Sequence, residues 1–125
     1  MQRWLAAIFA VFNTANGLVM LFASSLWWNT VPGAPDTGPF NQHFVQDVGA
    51  AFLVAGLALA ARAWCPAYWP AAVAASGFLV AHAAIHLVMI ATGHDHHPGV
   101  DVATVIVPAA LALYSAFPNN GEYHA

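Results

Sequence analysis

Apolar residues in this chain gather into four long runs, and the polar residues fall mostly between them. A hydrocarbon core about 30 Å thick takes roughly 20 helical residues per crossing at about 1.5 Å of rise each. Runs at about Trp4–Trp27, His43–Trp64, Ala71–Gly93 and Val102–Phe117 meet that length, so the pattern predicts four transmembrane helices. The connectors agree. Val31–Pro39 holds three prolines and two glycines and cannot continue a helix. Asn41 is placed to cap the second helix, Cys65-Pro66 and Trp69-Pro70 bracket a short turn, and His94–Gly99 closes the third. Asp101 stands at the start of the fourth run as a cap, and Pro108 inside it predicts a kink. The fold class expected is therefore all-α: one integral-membrane four-helix bundle over residues 1–125, with Pro118–Ala125 as a frayed tail.

Composition sharpens this picture. The 125 residues are 61% apolar and 6% charged, against about 25% charged in an ordinary soluble domain. That excludes a disordered tail, a water-soluble enzyme and a nucleic-acid binder. A single cysteine, Cys65, excludes an intrachain disulfide and a cluster held by this chain alone. All five tryptophans fall at span ends, where amphipathic rings meet the headgroups. Arg3 and Arg62 are the only strong cations, and four crossings put both on one side. The positive-inside rule makes that side cytoplasmic, with both termini, and turns the Pro-rich and His-rich loops outward from a bacterial inner membrane. Residues 1–25 also have the outline of a secretory signal, but Asn13 and Asn16 interrupt its apolar core, so the stretch reads as a retained helix. Small pairs at a spacing of four, Gly56/Ala60, Ala72/Ser76 and Gly77/Ala81, mark faces where helices can approach closely.

Ionisable groups inside a span are costly, and their default reading is functional. His43 and Asp47 lie four apart on the second helix, and His82 and His86 four apart on the third, so each pair shares a helix face. Counted from Asn41 and Gly93, Asp47 and His86 lie at a common depth of roughly 9 to 11 Å, with His82 near 16 Å and Asn16 at a similar level. A carboxylate and imidazoles suit Zn, Fe, Cu or Mn, so His43, Asp47 and His86 form a candidate metal set, with His82 and Asn16 as further cofactor contacts. His43 with His86 is the arrangement that would suit a haem. The same residues also fit an Asp–His pair that only fixes helix packing, a proton relay, or a quinone contact. The His94-Asp95-His96-His97 tract has metal affinity by composition alone. Nucleophile elbows, phosphate-cradling loops and dinucleotide fingerprints are absent.

Trp28-Asn29-Thr30-Val31-Pro32-Gly33, followed by Thr37–Gly49, resembles the loop and second helix of small bacterial four-helix membrane proteins, loosely the DoxX-like group. That resemblance implies a subunit of a membrane oxidoreductase system working with quinone. It carries no catalytic motif onto particular residues. The functional expectation is thus an outward-facing His/Asp pocket for a transition metal or a quinone-like redox partner. The alternatives are a non-catalytic scaffold contacting a larger membrane or periplasmic protein, and a channel or carrier formed by homo-oligomerisation.

Overall fold

The computed structural model describes residues 1–119. Glu122 and His124 of the predicted tail lie outside the described residues. Helices form where the apolar runs predict them: α1 (Gln2–Phe22), α2 (Ser24–Thr30), α3 (Gln42–Trp64), α4 (Trp69–Ala91), α5 (Pro98–Asp101) and α6 (Val107–Ala116). Among the described residues there is no strand. Four helical stretches, Gln2–Phe22, Gln42–Trp64, Pro66–Ala91 and Pro98–Ala116, are long and apolar enough to cross a membrane. They pack in a ring, α1 beside α3, α3 beside α4, α4 beside α6, and α6 back against α1.

Two boundaries differ from the sequence expectation. The first run does not continue to Trp27 as one helix but breaks at Ala23 (φ -136, ψ 43), and α2 sets off in a new direction. The turn lets Trp28 join Met20, Ala34 and Val45 in an apolar cluster, while the Trp27 indole donates to Asn16 Oδ1 at 2.9 Å. Burial of the Trp28 indole and the hydrogen bond of the Trp27 indole offset the break in the helix. The last span starts at Pro98 rather than Val102, because proline in a helix's first turn forfeits no hydrogen bond. A π-helical turn at Val102–Ile106 precedes Pro108. It absorbs the missing N–H and the ring's bulk, so the disturbance predicted at Pro108 appears as a widened turn.

Close approach of α1 and α3 fixes the bundle. A Cβ on Gly17 would stand 2.6 Å from the Leu53 backbone nitrogen and 2.7 Å from the Gly49 carbonyl oxygen, and one on Gly56 2.6 Å from the Thr14 nitrogen. Backbone atoms cannot swing aside, so only glycine permits this contact. The remaining core is mostly alanine around Leu59 and Leu79. Of the small pairs, Ala72 and Ser76 are buried, whereas Gly77 has open space where its side chain would be. Large apolar residues such as Ile8, Phe12, Val54, Leu57, Ile85 and Val88 point outward, the surface a lipid bilayer covers.

One end of the bundle is locked by its two arginines. Arg3 donates from Nε and Nη2 to the Ala63 and Trp64 carbonyls, both at 3.0 Å, and so caps α3. Arg62, fully buried, donates to the Ala116 and Phe117 carbonyls, each at 3.2 Å, and caps α6. Each guanidinium meets orphan carbonyls at the negative end of a helix dipole. At the opposite end Asn41 Oδ1 accepts from the Phe44 N–H at 3.1 Å, as the sequence predicts, and Gly93 (φ 73) ends α4 while the His94 N–H bonds the Met89 carbonyl. His97 Nε2 lies 3.3 Å from Asp36 Oδ2 and ties the two loops of that end together.

The glycine contact makes a direct prediction. Gly17→Val is expected to destabilise the bundle by about 1–3 kcal/mol, and Gly77→Val by less than about 0.5 kcal/mol. Equilibrium unfolding in mixed micelles measures both.

Candidate functional site

The polar centre of this fold lies between α4 and the first turn of the last span. Because Pro98 occupies a first-turn position, Asp101 falls inside the helix, where it is buried, rather than at its cap. Asp101 Oδ2 contacts His86 Nδ1 directly. The two side chains retain only 12% and 22% of their exposure, so the pair is mostly covered by the chain itself. A carboxylate in this position accepts the Nδ1 proton, which fixes the His86 tautomer and leaves Nε2 with its lone pair.

His82 continues the row one turn further along α4. Its ring centroid is 4.8 Å from that of His86, edge to face. Phe52 of α3 meets it edge-on at 5.6 Å, and Phe78 stacks on it at 6.0 Å. Counted from Ala91, His86 is roughly 7 to 8 Å and His82 roughly 13 to 14 Å along the helix. Asp101, His86 and His82 therefore form a short polar file running inward from the histidine-rich end, with Phe52 and Phe78 against its innermost ring. The file sets a carboxylate-oriented imidazole beside a second imidazole, and a ring nitrogen there can serve as a hydrogen-bond partner to a hydroxyl or carbonyl ligand.

The candidate metal set is not assembled. His43 Nε2 pairs instead with Asp47 Oδ2 of its own helix at 3.5 Å, and both side chains are exposed, 87% and 66%. They point away from the bundle because the glycine face of α3, Gly49 and Gly56, is turned toward α1. His86 turns the other way, to Asp101. The depth count put Asp47 and His86 at one level, but level does not determine which way a helix faces. Among the described residues no three His, Cys, Asp or Glu side chains converge as a metal site would need. The haem arrangement of His43 with His86 loses its basis for the same reason.

Asn16 is also engaged elsewhere. Its Oδ1 accepts from Trp27, its Nδ2 lies 3.6 Å from Met20 Sδ, and it borders a shallow apolar groove of about 500 Å³ along α1. The amide holds the α1–α2 turn. In the His-rich loop, Asp95 Oδ1 accepts the His97 N–H at 2.7 Å, a local turn bond, while His94 Nδ1 meets Thr92 at 3.0 Å. Sequence reasoning missed Asp101 as the partner of His86. The signal was present: Pro98, read as a first-turn residue, moves Asp101 from cap to interior.

No family model matches the chain, and no curated protein or solved structure matches it.

Removal of Asp101 should be felt in stability. Asp101→Ala strands a half-buried imidazole and is expected to cost about 1–3 kcal/mol, with Asp101→Asn, which keeps an acceptor for Nδ1–H, costing less. Combining each with His86→Ala in a double-mutant cycle isolates the pair, and a coupling energy near zero would contradict the contact.

Proposed function

We propose that this chain is a multi-pass protein of the bacterial inner membrane, both termini cytoplasmic, that serves a membrane oxidoreductase system by exchanging protons with a quinone-like redox partner. The observation that carries this reading is the Asp101–His86 contact. A carboxylate that orients an imidazole, with a second imidazole one turn deeper between aromatic rings, is what acceptance of a proton from a lipid-borne hydroxyl requires. In this scheme Nε2 of His86, oriented by Asp101, accepts a hydrogen bond from a hydroxyl of the quinol-like partner. The resemblance of the Trp28–Gly49 segment to DoxX-like proteins favours the same class of chemistry.

A second reading has its own support. The Asp101–His86 bond joins α4 to the last span across the His94–His97 loop, so the pair can act as a clamp alone. Binding separates the two. Titration of the protein in nanodiscs with a short-chain ubiquinone analogue, followed by quenching of intrinsic tryptophan fluorescence, is expected to saturate. His86→Ala and Asp101→Ala are expected to weaken it by roughly 10- to 100-fold, the value of a hydrogen bond to a charged group. Quenching that never saturates, or that the substitutions leave unchanged while stability falls, would favour the clamp.

Orientation has an independent test in Cys65, at the turn on the arginine end. A membrane-impermeant maleimide should leave Cys65 unmodified in intact spheroplasts and modify it after permeabilisation. Thr37→Cys in a Cys65→Ser background should react in both. The opposite pattern would reverse the topology.

A further inference from the structure

A cleft at the arginine end of the bundle lies apart from the polar file. It measures about 350 Å³ and sits between the first turns of α1 and the last turn of α3, bounded by Arg3, Trp4, Ala7 and Ala63. Arg3 is exposed there, and capping uses only part of its hydrogen-bonding capacity. A guanidinium presents its N–H donors as a rigid planar fork. The Nε and Nη2 bonds to the Ala63 and Trp64 carbonyls take one edge of that fork, which leaves the Nη1–Nη2 edge uncommitted among the described residues. The charge has no local balance either. Asp36, Asp47, Asp95 and Asp101, the acidic side chains among the described residues, all lie toward the histidine-rich end. Trp4 and Trp64, 78% and 86% exposed, put the cleft at headgroup level.

We propose that this cleft is a binding site for an anionic phospholipid, whose phosphate is held by Arg3. The free edge of the guanidinium offers two parallel N–H groups, and two oxygens of a phosphodiester match that geometry. A permanent positive charge in a cleft between two spans, at the level of the headgroups, is the electrostatic setting in which anionic lipids are retained. The apolar part of the lipid has a path as well. Trp4, Ile8 and Val11 are exposed at a spacing of four and three, so acyl chains leaving the cleft run along one apolar stripe of α1. Free phosphate shares the headgroup chemistry but has nothing to lay on that stripe. The inference is independent of the quinone reading, since no residue of the cleft belongs to the Asp101–His86–His82 file.

Native mass spectrometry of the full chain in mild detergent tests it, with titration by phosphatidylglycerol, by phosphatidylcholine of the same acyl chains, and by inorganic phosphate. The first phosphatidylglycerol is expected to bind about fivefold more tightly than the first phosphatidylcholine, the effect of one basic side chain at a membrane surface. Inorganic phosphate in excess is expected not to displace it. Arg3→Gln is expected to abolish the preference between the two lipids. That substitution also removes the cap of α3, so a second variant leaves the guanidinium in place: Ala7→Phe fills the cleft and is expected to weaken phosphatidylglycerol by about fivefold or more. A helical circular dichroism spectrum equal to that of the unsubstituted chain shows that either variant has folded. Equal binding of the two lipids by the unsubstituted chain would overturn the proposal. So would a preference that survives Arg3→Gln or Ala7→Phe, or displacement by inorganic phosphate, which would make the site one for a free anion.

Discussion

Hydrocarbon offers no hydrogen bonds, and every polar group carried into it must find a partner within the protein. This constraint explains where most of the scarce polar residues of the spans go. Arg3 and Arg62 cap helix ends, Asn13 bonds the Phe9 carbonyl of its own helix at 2.7 Å, Asn16 holds Trp27, and His86 takes Asp101. Gln46 reaches across to the Leu21 carbonyl at 3.0 Å and secures the end of α1 where the chain turns. The Ser76 hydroxyl and Gln2 Oε1 are buried without a hydrogen-bond partner, a small residue of unmet demand in a chain with so few polar atoms. Against that background Asp47 and His43 stand out: they satisfy each other and yet face outward.

The spans were legible because hydrophobic length is a property of sequence alone. The Asn41 cap and the prolines of the Val31–Pro39 connector act locally, and each lands where the sequence places it. Helix phase is a different kind of information. Asp47 and His86 share a depth, but the direction in which Asp47 points is set by Gly49 and Gly56 seating against Met20 and Thr14 of α1, residues far away in the sequence. A depth count sees none of this. Asp101 was misjudged for a smaller reason: a cap and a first-turn residue differ by only a few positions, and Pro98 reads equally well as the end of a loop or the start of a helix.

The helix break at Ala23 and the π turn before Pro108 belong to one pattern. Both lie toward the histidine-rich end of the bundle, while at the arginine end α3 and α6 run regularly to their last turns and are each closed by a guanidinium. Irregular backbone in a membrane is tolerated where neighbouring groups take up the freed carbonyls and amides. At Val102–Ile106 it begins one residue after Asp101, so the widened turn follows directly on the carboxylate that meets His86. A π turn shifts the residues beyond it by one position relative to α-helical spacing.

The two ends of the molecule thereby differ in electrostatic kind. At the arginine end the charges are permanent and committed to backbone carbonyls, so they anchor and orient without being able to change state. At the other end the ionisable groups are imidazoles and carboxylates bonded to one another across elements: His97 with Asp36 joins the two loops, and His86 with Asp101 joins α4 to the last span. Two guanidiniums committed to backbone carbonyls at one end and two imidazole–carboxylate pairs at the other thus hold the bundle by different means, backbone capping on one side and links between side chains of separate elements on the other.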